Sequence, residues 1–214
     1  MDRLTVFMRL NPQHKLLDLA CGKGRHSIYL NKKGFEVLGL DLSPQSITFA
    51  QQFANERLRF GIHDMRQPYQ EEQFDVVLNL FTSFGFFDSD EEHLNTIKAV
   101  AHSLKPGGYF MIDFFNTRLV INDLVRENEV ERGGVVFQQK RYVENNTIVK
   151  DIHFEDQGKA YHFQERVRAL EEHDFRRFLQ QSDLQVLHLF GNYNLDFYQP
   201  QTSERMIFIA RKGG

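Results

Sequence analysis

Apolar residues in this chain follow two rhythms. From Leu16 to Phe115, short apolar runs alternate with stretches whose apolar residues recur every three or four positions. The runs Leu16 to Ala20, Phe35 to Leu40, Leu58 to Ile62, Phe74 to Leu80 and Tyr109 to Phe115 have the length and content of strands buried on both faces. Between the first two, Arg25 to Lys33 predicts a helix stopped by Gly34. Ser43-Pro44 pairs an N-cap residue with a first-turn proline, and Ile47, Ala50 and Ala54 follow at helical spacing. A third helix begins in the acidic cluster Asp88 to Glu92, where negative charge suits the helix dipole, and shows Leu94, Ile97, Ala101 and Leu104 on one face. Pro106-Gly107-Gly108 reads as a turn into the fifth strand. This alternation predicts a parallel sheet wrapped by helices on both faces through right-handed crossovers.

After a further predicted helix carrying Ile121, Leu124 and Val125, period two replaces period 3.6 from about residue 133. Ile148, Ile152 and Phe154 share one parity, Asp151, His153 and Glu155 the other, and the polar groups 144–147 and 156–159 look like turns. The expectation is an antiparallel three-stranded insertion over about 134–168. A helix around Glu171 to Ser182 and strands near 185–190 and 205–211 then resume the first theme. The fold class expected is α/β: a doubly wound, mostly parallel seven-stranded sheet with a small antiparallel β insertion. One domain should span 1–214, with a core of about 15–115 and a C-terminal helix and strands over about 170–212.

Composition narrows the functional classes. Hydrophobic residues make up 41% and charged residues 26%, the proportions of a globular chain rather than a disordered one. A net charge of -3 lacks the broad positive field of a non-specific nucleic-acid binder. Cys21 has no intramolecular disulfide partner, and neither it nor the nine histidines show zinc-ligand spacing. No apolar run reaches the roughly 18 residues of a membrane span, and the first residues do not resemble an export signal. A cytoplasmic protein without membrane association is expected.

In open α/β sheets, ligands bind outside the carboxyl ends of the strands, where strand order reverses. Chemistry-bearing residues gather at those positions: Asp18 to Gly24 end the first strand, Asp41 the second, His63-Asp64-Met65 the third, and Asn79-Leu80-Phe81 the fourth. Gly22 and Gly24 let backbone approach a ligand, and the helix beyond them offers free N–H groups to an anion. Asp41 is placed to accept hydrogen bonds from ribose hydroxyls. These features alone fit NAD as well as S-adenosylmethionine. Asp18 separates the two, because its charge would repel a pyrophosphate but favour an ammonium and a sulfonium. Ser27 also stands where the dinucleotide fingerprint has its third glycine.

Leu16 to Gly24 resembles motif I of the class I S-adenosylmethionine-dependent methyltransferases, which have a Rossmann-like fold. Glu36 to Ser43 resembles the family's second strand with its ribose-binding acid, Asp64-Met65 its adenine-binding step, Phe74 to Leu80 motif IV, and Leu104 to Gly108 the turn before the fifth strand. The resemblance implies that Asp18, Ala20, Cys21, Gly22 and Gly24 hold the methionine end of S-adenosylmethionine and Asp41 its ribose. Leu42 and Met65 would then flank adenine, Asp64 would take its exocyclic amine, and Asn79 and Leu80 would lie near the methyl group. Only about 15 residues precede the first strand, so the N-terminal segment that covers the site in this family is expected to be short or absent. Either the chain is truncated, or the insertion or a second subunit closes the pocket, a homodimer being one such assembly.

The Pro-Pro-aromatic tetrapeptide of many nucleic-acid amino-methyltransferases is absent after Asn79, and residues 132–169 carry a basic surplus of only two. The expected function is therefore methyl transfer to a small-molecule acceptor, bound between the Phe81 to Phe87 loop and the insertion, with nucleic acid disfavoured. His63, His153, Tyr193 and Tyr198 are the candidate bases. RNA or protein methylation, a non-catalytic cofactor-binding partner subunit and nicotinamide oxidoreduction are the alternatives.

Overall fold

The computed structural model describes residues 1–213. A short helix α1 (Asp2–Phe7) precedes β1 (Lys15–Leu19), α2 (Arg25–Lys32), β2 (Glu36–Asp41), α3 (Pro44–Ala50), β3 (Leu58–Ile62), β4 (Phe74–Asn79), α4 (Asp90–Ser103) and β5 (Leu104–Phe115). Then come α5 (Thr117–Asn122), β6 (Glu127–Arg132), β7 (Val135–Glu144), β8 (Thr147–Asp156), β9 (Lys159–Arg168), α6 (Glu172–Gln180), β10 (Leu184–Phe190) and β11 (Arg205–Lys212). Seven strands form one sheet in the order β10-β11-β5-β4-β1-β2-β3, parallel except for β11, which runs antiparallel to both neighbours.

Both faces of this sheet are covered, which is why β1 buries Leu16, Leu17 and Leu19 alike. Leu17 and Leu19 join a core with Ile97 of α4 and Phe175 and Phe178 of α6. Leu16 joins the opposite core with Leu30 of α2 and Leu4 and Met8 at α1. At α3, Ser43 accepts from the Ser46 N–H; at α4, Ser89 and Glu92 form a reciprocal capping box.

Three expectations need correction. Pro106-Gly107-Gly108 is not a turn, because β5 begins at Leu104 and absorbs these residues at a register shift opposite Phe74 to Val76. The helix expected to carry Leu124 and Val125 ends at Asn122, after a cap in which the Asn116 side chain accepts from the Arg118 N–H. The segment that follows it is β6, so the second sheet has four strands, in the order β6-β7-β8-β9, not three. With Val130 as its only aliphatic residue, β6 shows no apolar alternation; it is an edge strand held by main-chain pairing with β7.

Two-residue turns join these four strands at Gly133-Gly134, Asn145-Asn146 and Gln157-Gly158, with positive φ at both positions of each. That mirror-image turn matches the twist of the flanking strands.

Candidate active site

Strand order reverses between β1 and β4, whose carboxyl ends lie side by side with Leu16, Leu17 and Asp18 paired to Val76, Val77 and Leu78. Beyond β1 the chain turns sharply through Ala20, at φ 61°, and Gly22, at φ 56°. The Cys21 N–H donates to the Leu40 carbonyl at 3.0 Å, which fastens the loop to β2. Asp41 closes the other side: its two carboxylate oxygens accept from the N–H groups of Gly22 and Ser43, each at 2.8 Å.

The glycines of this loop serve different ends. A Cβ at Gly22 would meet no protein atom within 4 Å, so this side of the loop faces open space. A Cβ at Gly24 would lie 2.7 Å from the Phe60 ring, and one at Gly39 would lie 2.6 Å from the same ring. Phe60 therefore fills the room between loop and sheet, while Gly22 leaves room for a ligand.

Asp18 is 2% exposed and accepts from the Ser27 hydroxyl at 2.6 Å. Burial outweighs this bond and pushes its pKa up to about 6. Burial, with the nearby Asp18 and Asp41 carboxylates, also pushes the Cys21 thiol well above its ordinary range. Asn79 donates from Nδ2 to the Leu19 carbonyl at 3.1 Å, and its buried Oδ1 has no hydrogen-bond partner. α2 starts at Gly24 with no side chain capping it. An orphaned acceptor, a buried acid of raised pKa and an uncapped helix start thus gather at the carboxyl ends of β1 and β4, a set of groups suited to a ligand carrying an ammonium and a carboxylate.

The remaining expected residues are placed unevenly. Met65 packs against the α4-side core and Leu42 is 64% exposed. Asp64 is engaged by its neighbour: Arg66 donates to both its oxygens, the shortest contact being 2.6 Å, and also reaches Glu92 at 2.6 Å. These contacts, with Arg66 first, hold the Asp64 carboxyl below its usual range. The Leu80 side chain lies in the α2-side core at 7% exposure, leaving only its main chain toward the strand end.

A second cluster lies beside Asn79, on the α2 side. The Phe81 ring is stacked between His26, at 4.9 Å, and Tyr193, at 5.6 Å, with the Arg25 guanidinium 4.7 Å from its centroid. Beneath it, the buried Asp113 of β5 pairs with Arg205 of β11 at 2.8 Å. Burial and Arg25 push the His26 pKa down to about 4, so the imidazole is neutral near pH 7. Asp113 and Arg205 escaped the sequence reading, although an acid inside the apolar run 109–115 was a signal. Of the four candidate bases, Tyr193 bonds Asp113, His63 bonds the Gln67 carbonyl, Tyr198 bonds Asn116, and His153 stacks on His162 in the second sheet. A cavity of about 860 Å³ bordered by Gly107, Arg176 and Arg211 lies at the opposite end of the sheet from this chemistry.

The protein family described as "Methyltransferase domain" matches residues 16–108. The chain is 30% identical over 208 residues to YqeM of Bacillus subtilis (strain 168), a protein named as a methyltransferase, covering 92% of this chain and 84% of that one. The chain belongs to the class I S-adenosylmethionine-dependent methyltransferases. A dTDP-3-amino-3,4,6-trideoxy-alpha-D-glucopyranose N,N-dimethyltransferase of Streptomyces venezuelae is 28% identical, over 91% of this chain and 81% of that one. A crystal structure of an S-adenosylmethionine-dependent methyltransferase from Clostridium acetobutylicum ATCC 824 superposes with a TM-score of 0.85 at 22% identity, covering 100% of this chain and 89% of that one. Its likeness confirms the Rossmann-like seven-stranded fold. The protein is thus an S-adenosylmethionine-dependent methyltransferase, with S-adenosylmethionine as its cofactor. Among the described residues no helix of this methyltransferase is long and apolar enough to cross a membrane.

Proposed function

We propose that this methyltransferase acts on a small-molecule acceptor held between the Phe81 to Phe87 loop and the second sheet, with residues 1–214 working as one domain. The observation that carries the reading is how these two parts meet. The Arg168 N–H at the end of β9 donates to the Gly85 carbonyl at 2.8 Å, and Gly85 packs so closely on Val167 that a Cβ there would lie 2.9 Å from it. The sheet therefore stands as a wall directly beside the loop that leaves β4. Near-full-length similarity to an amino-sugar N,N-dimethyltransferase supports an acceptor of modest size.

In this reading Asp18 and the loop Ala20 to Gly24 hold the methionine end of the cofactor, and the free Asn79 Oδ1 receives an ammonium N–H. Asp41 has lone pairs left for the ribose hydroxyls, and Leu42 and Met65 border adenine. Asp64 serves its exocyclic amine while remaining tied to Arg66, and Leu80 contributes main chain only. S-adenosylmethionine, when bound, supplies a methyl group already activated on a sulfonium. The protein's remaining tasks are placement of the acceptor and exclusion of water, which suit the ring wall of His26, Phe81 and Tyr193. An unpaired Cys21 supports a cytoplasmic setting.

Methyl-labelled S-adenosylmethionine offered with amino sugars, amino acids and small alcohols, and in parallel with RNA and protein, tests the proposal. Transfer to a low-molecular-weight acceptor is expected. Transfer to RNA alone, with binding that falls steeply with salt, would replace it.

A homodimer through the second sheet belongs to the same reading. Val130, Phe137, Phe154 and Tyr161 align across one face of the four strands, and Phe163 beside them is 56% exposed. Phe154 stacks on Tyr161 at 4.9 Å and on Phe163 at 5.9 Å, forming a continuous apolar band of the kind that marks an interaction surface. Lys150 and Glu165 pair with each other at its border at 3.3 Å, so no free charge of theirs opposes a second copy docking on the band. Sedimentation of the wild type and of Phe154→Lys decides: a dimer that the substitution dissociates is expected, and a monomeric wild type defeats the idea.

A further inference from the structure

The turn that follows β4 is held in a conformation its residues do not favour. Phe81 and Thr82 both adopt left-handed backbone, at φ 56° and 59°, although neither is glycine and Thr82 is β-branched. Asp113, 1% exposed, keeps them there. Its Oδ2 accepts from the Phe81 N–H at 3.0 Å, and its carbonyl accepts from the Thr82 N–H at 2.9 Å. Arg205 donates from Nε to Asp113 Oδ1 at 2.8 Å and from Nη2 to Thr82 Oγ1 at 3.0 Å. The same Oδ2 also accepts from the Tyr193 hydroxyl at 3.0 Å.

That last bond fixes the polarity of Tyr193. Its single proton is committed to a carboxylate, so the remaining lone pairs of the phenolic oxygen can only accept. Among the described residues nothing donates to them, and Tyr193 is 47% exposed. Its ring faces Phe81, the second residue beyond Asn79, so the oxygen borders the end of β4 rather than a remote surface. A strained turn, a buried ion pair and an oriented phenol thus converge at the end of β4, with the phenolic oxygen turned outward as an acceptor.

We propose that Tyr193 orients the methyl acceptor: its oxygen, with its own proton held by Asp113, takes a hydrogen bond from an N–H or O–H of the acceptor. The site then selects protic nucleophiles, amines and hydroxyls, over tertiary amines and thioethers. This rests on the small-molecule reading above. Burial and the Asp113 carboxylate push the phenol's pKa up to about 12, so Tyr193 keeps its proton near neutrality and is not the base. Its part is positional. Accepting a hydrogen bond fixes the acceptor's heteroatom against the Phe81 wall and with it the direction of the remaining lone pair.

The test uses the full chain and methyl-labelled S-adenosylmethionine with primary amines, secondary amines and alcohols, amino sugars included, beside tertiary amines and thioethers. Transfer to protic members alone is expected, and Tyr193→Phe should lower kcat/KM by roughly 10- to 100-fold, the range for one lost hydrogen bond at a reacting group. Calorimetric affinity for S-adenosylhomocysteine should stay within about twofold, the margin that marks no lost contact. As a readout independent of turnover, the ultraviolet titration that Tyr193→Phe removes should move to lower pH in Asp113→Asn. Unchanged kcat/KM in Tyr193→Phe, or wild-type transfer to thioethers and tertiary amines as fast as to amines, overturns the assignment. Cofactor binding with no transfer to any member withdraws the small-molecule reading and this inference with it, a result distinct from transfer that ignores Tyr193.

Discussion

Ser27 donates its hydroxyl proton to the Asp18 carboxylate at 2.6 Å, across the turn that joins β1 to α2. Both residues are buried, so the bond satisfies a serine that stands where a dinucleotide site would place glycine. The carboxylate it serves is buried and raised in pKa, which makes the loop sensitive to the charge of what binds there and to pH.

The pH dependence has a definite sign. The Asp18 pKa is raised in the fold to about 6, so its contribution to stability is full below the ordinary carboxylate range and is lost as pH rises toward 6. His26 is lowered to about 4, so its contribution is present above the ordinary imidazole value and is lost as pH falls. The two oppose each other between about pH 4 and 6. Relative to wild type, Asp18→Asn should lose about 2 kcal/mol on acidification across that window, whereas His26→Gln should gain. Urea unfolding at both pH values measures this, and parallel curves for all three proteins would refute it.

Asp41 receives two backbone N–H groups and, in the proposed site, two ribose hydroxyls. Asp41→Ala should weaken S-adenosylmethionine binding by about 1.5–3 kcal/mol, roughly ten- to a hundredfold, and should cost about 1–2 kcal/mol of stability as the Gly22 and Ser43 N–H groups lose their acceptor, without preventing folding. Isothermal titration supplies the number; an unaltered Kd would remove Asp41 from the ribose site.

Gly22 and Gly24 should respond differently to alanine. Gly24→Ala sets a Cβ 2.7 Å from the Phe60 ring at φ 78° and should destabilise the protein by about 1–3 kcal/mol, partly restored by Phe60→Leu. Gly22→Ala meets no protein atom, so its stability loss should stay near 1 kcal/mol, the cost of the left-handed backbone, while cofactor affinity falls. Denaturant curves paired with calorimetry distinguish these outcomes, and a reversed order would contradict the assignment of open space at Gly22.

Arg205 neutralises Asp113 where the side chains are 17% and 2% exposed. Arg205→Met should cost about 3–5 kcal/mol by leaving a buried charge, and adding Asp113→Asn should recover a large part. A double-mutant cycle showing simple additivity would mean that the pair is not coupled.

Local features were legible and topological ones were not. Leu16, Leu17 and Leu19 announced a strand covered on both faces, and the residues from Asp18 to Gly24 sit close enough in sequence to reveal a binding loop. β6 was hidden because an edge strand of charged residues has no apolar period. α1 was hidden because six residues barely complete a turn and a half. The Asp113, Tyr193 and Arg205 cluster joins residues 80 and 92 positions apart, and only the seating of β11 against β5 brings them together.

That seating also governs how the chain assembles during synthesis. Each hairpin of the second sheet closes over a two-residue turn, so it pairs as soon as it is made. β5 has no such neighbour. Its outer edge waits for β11, and at about 5–20 residues per second the ribosome takes roughly 5–20 s to cover that distance. Throughout that interval a long apolar strand offers unpaired N–H and C=O groups to any passing chain, so a chaperone that shields extended hydrophobic segments is most needed between the emergence of Phe115 and that of Arg205.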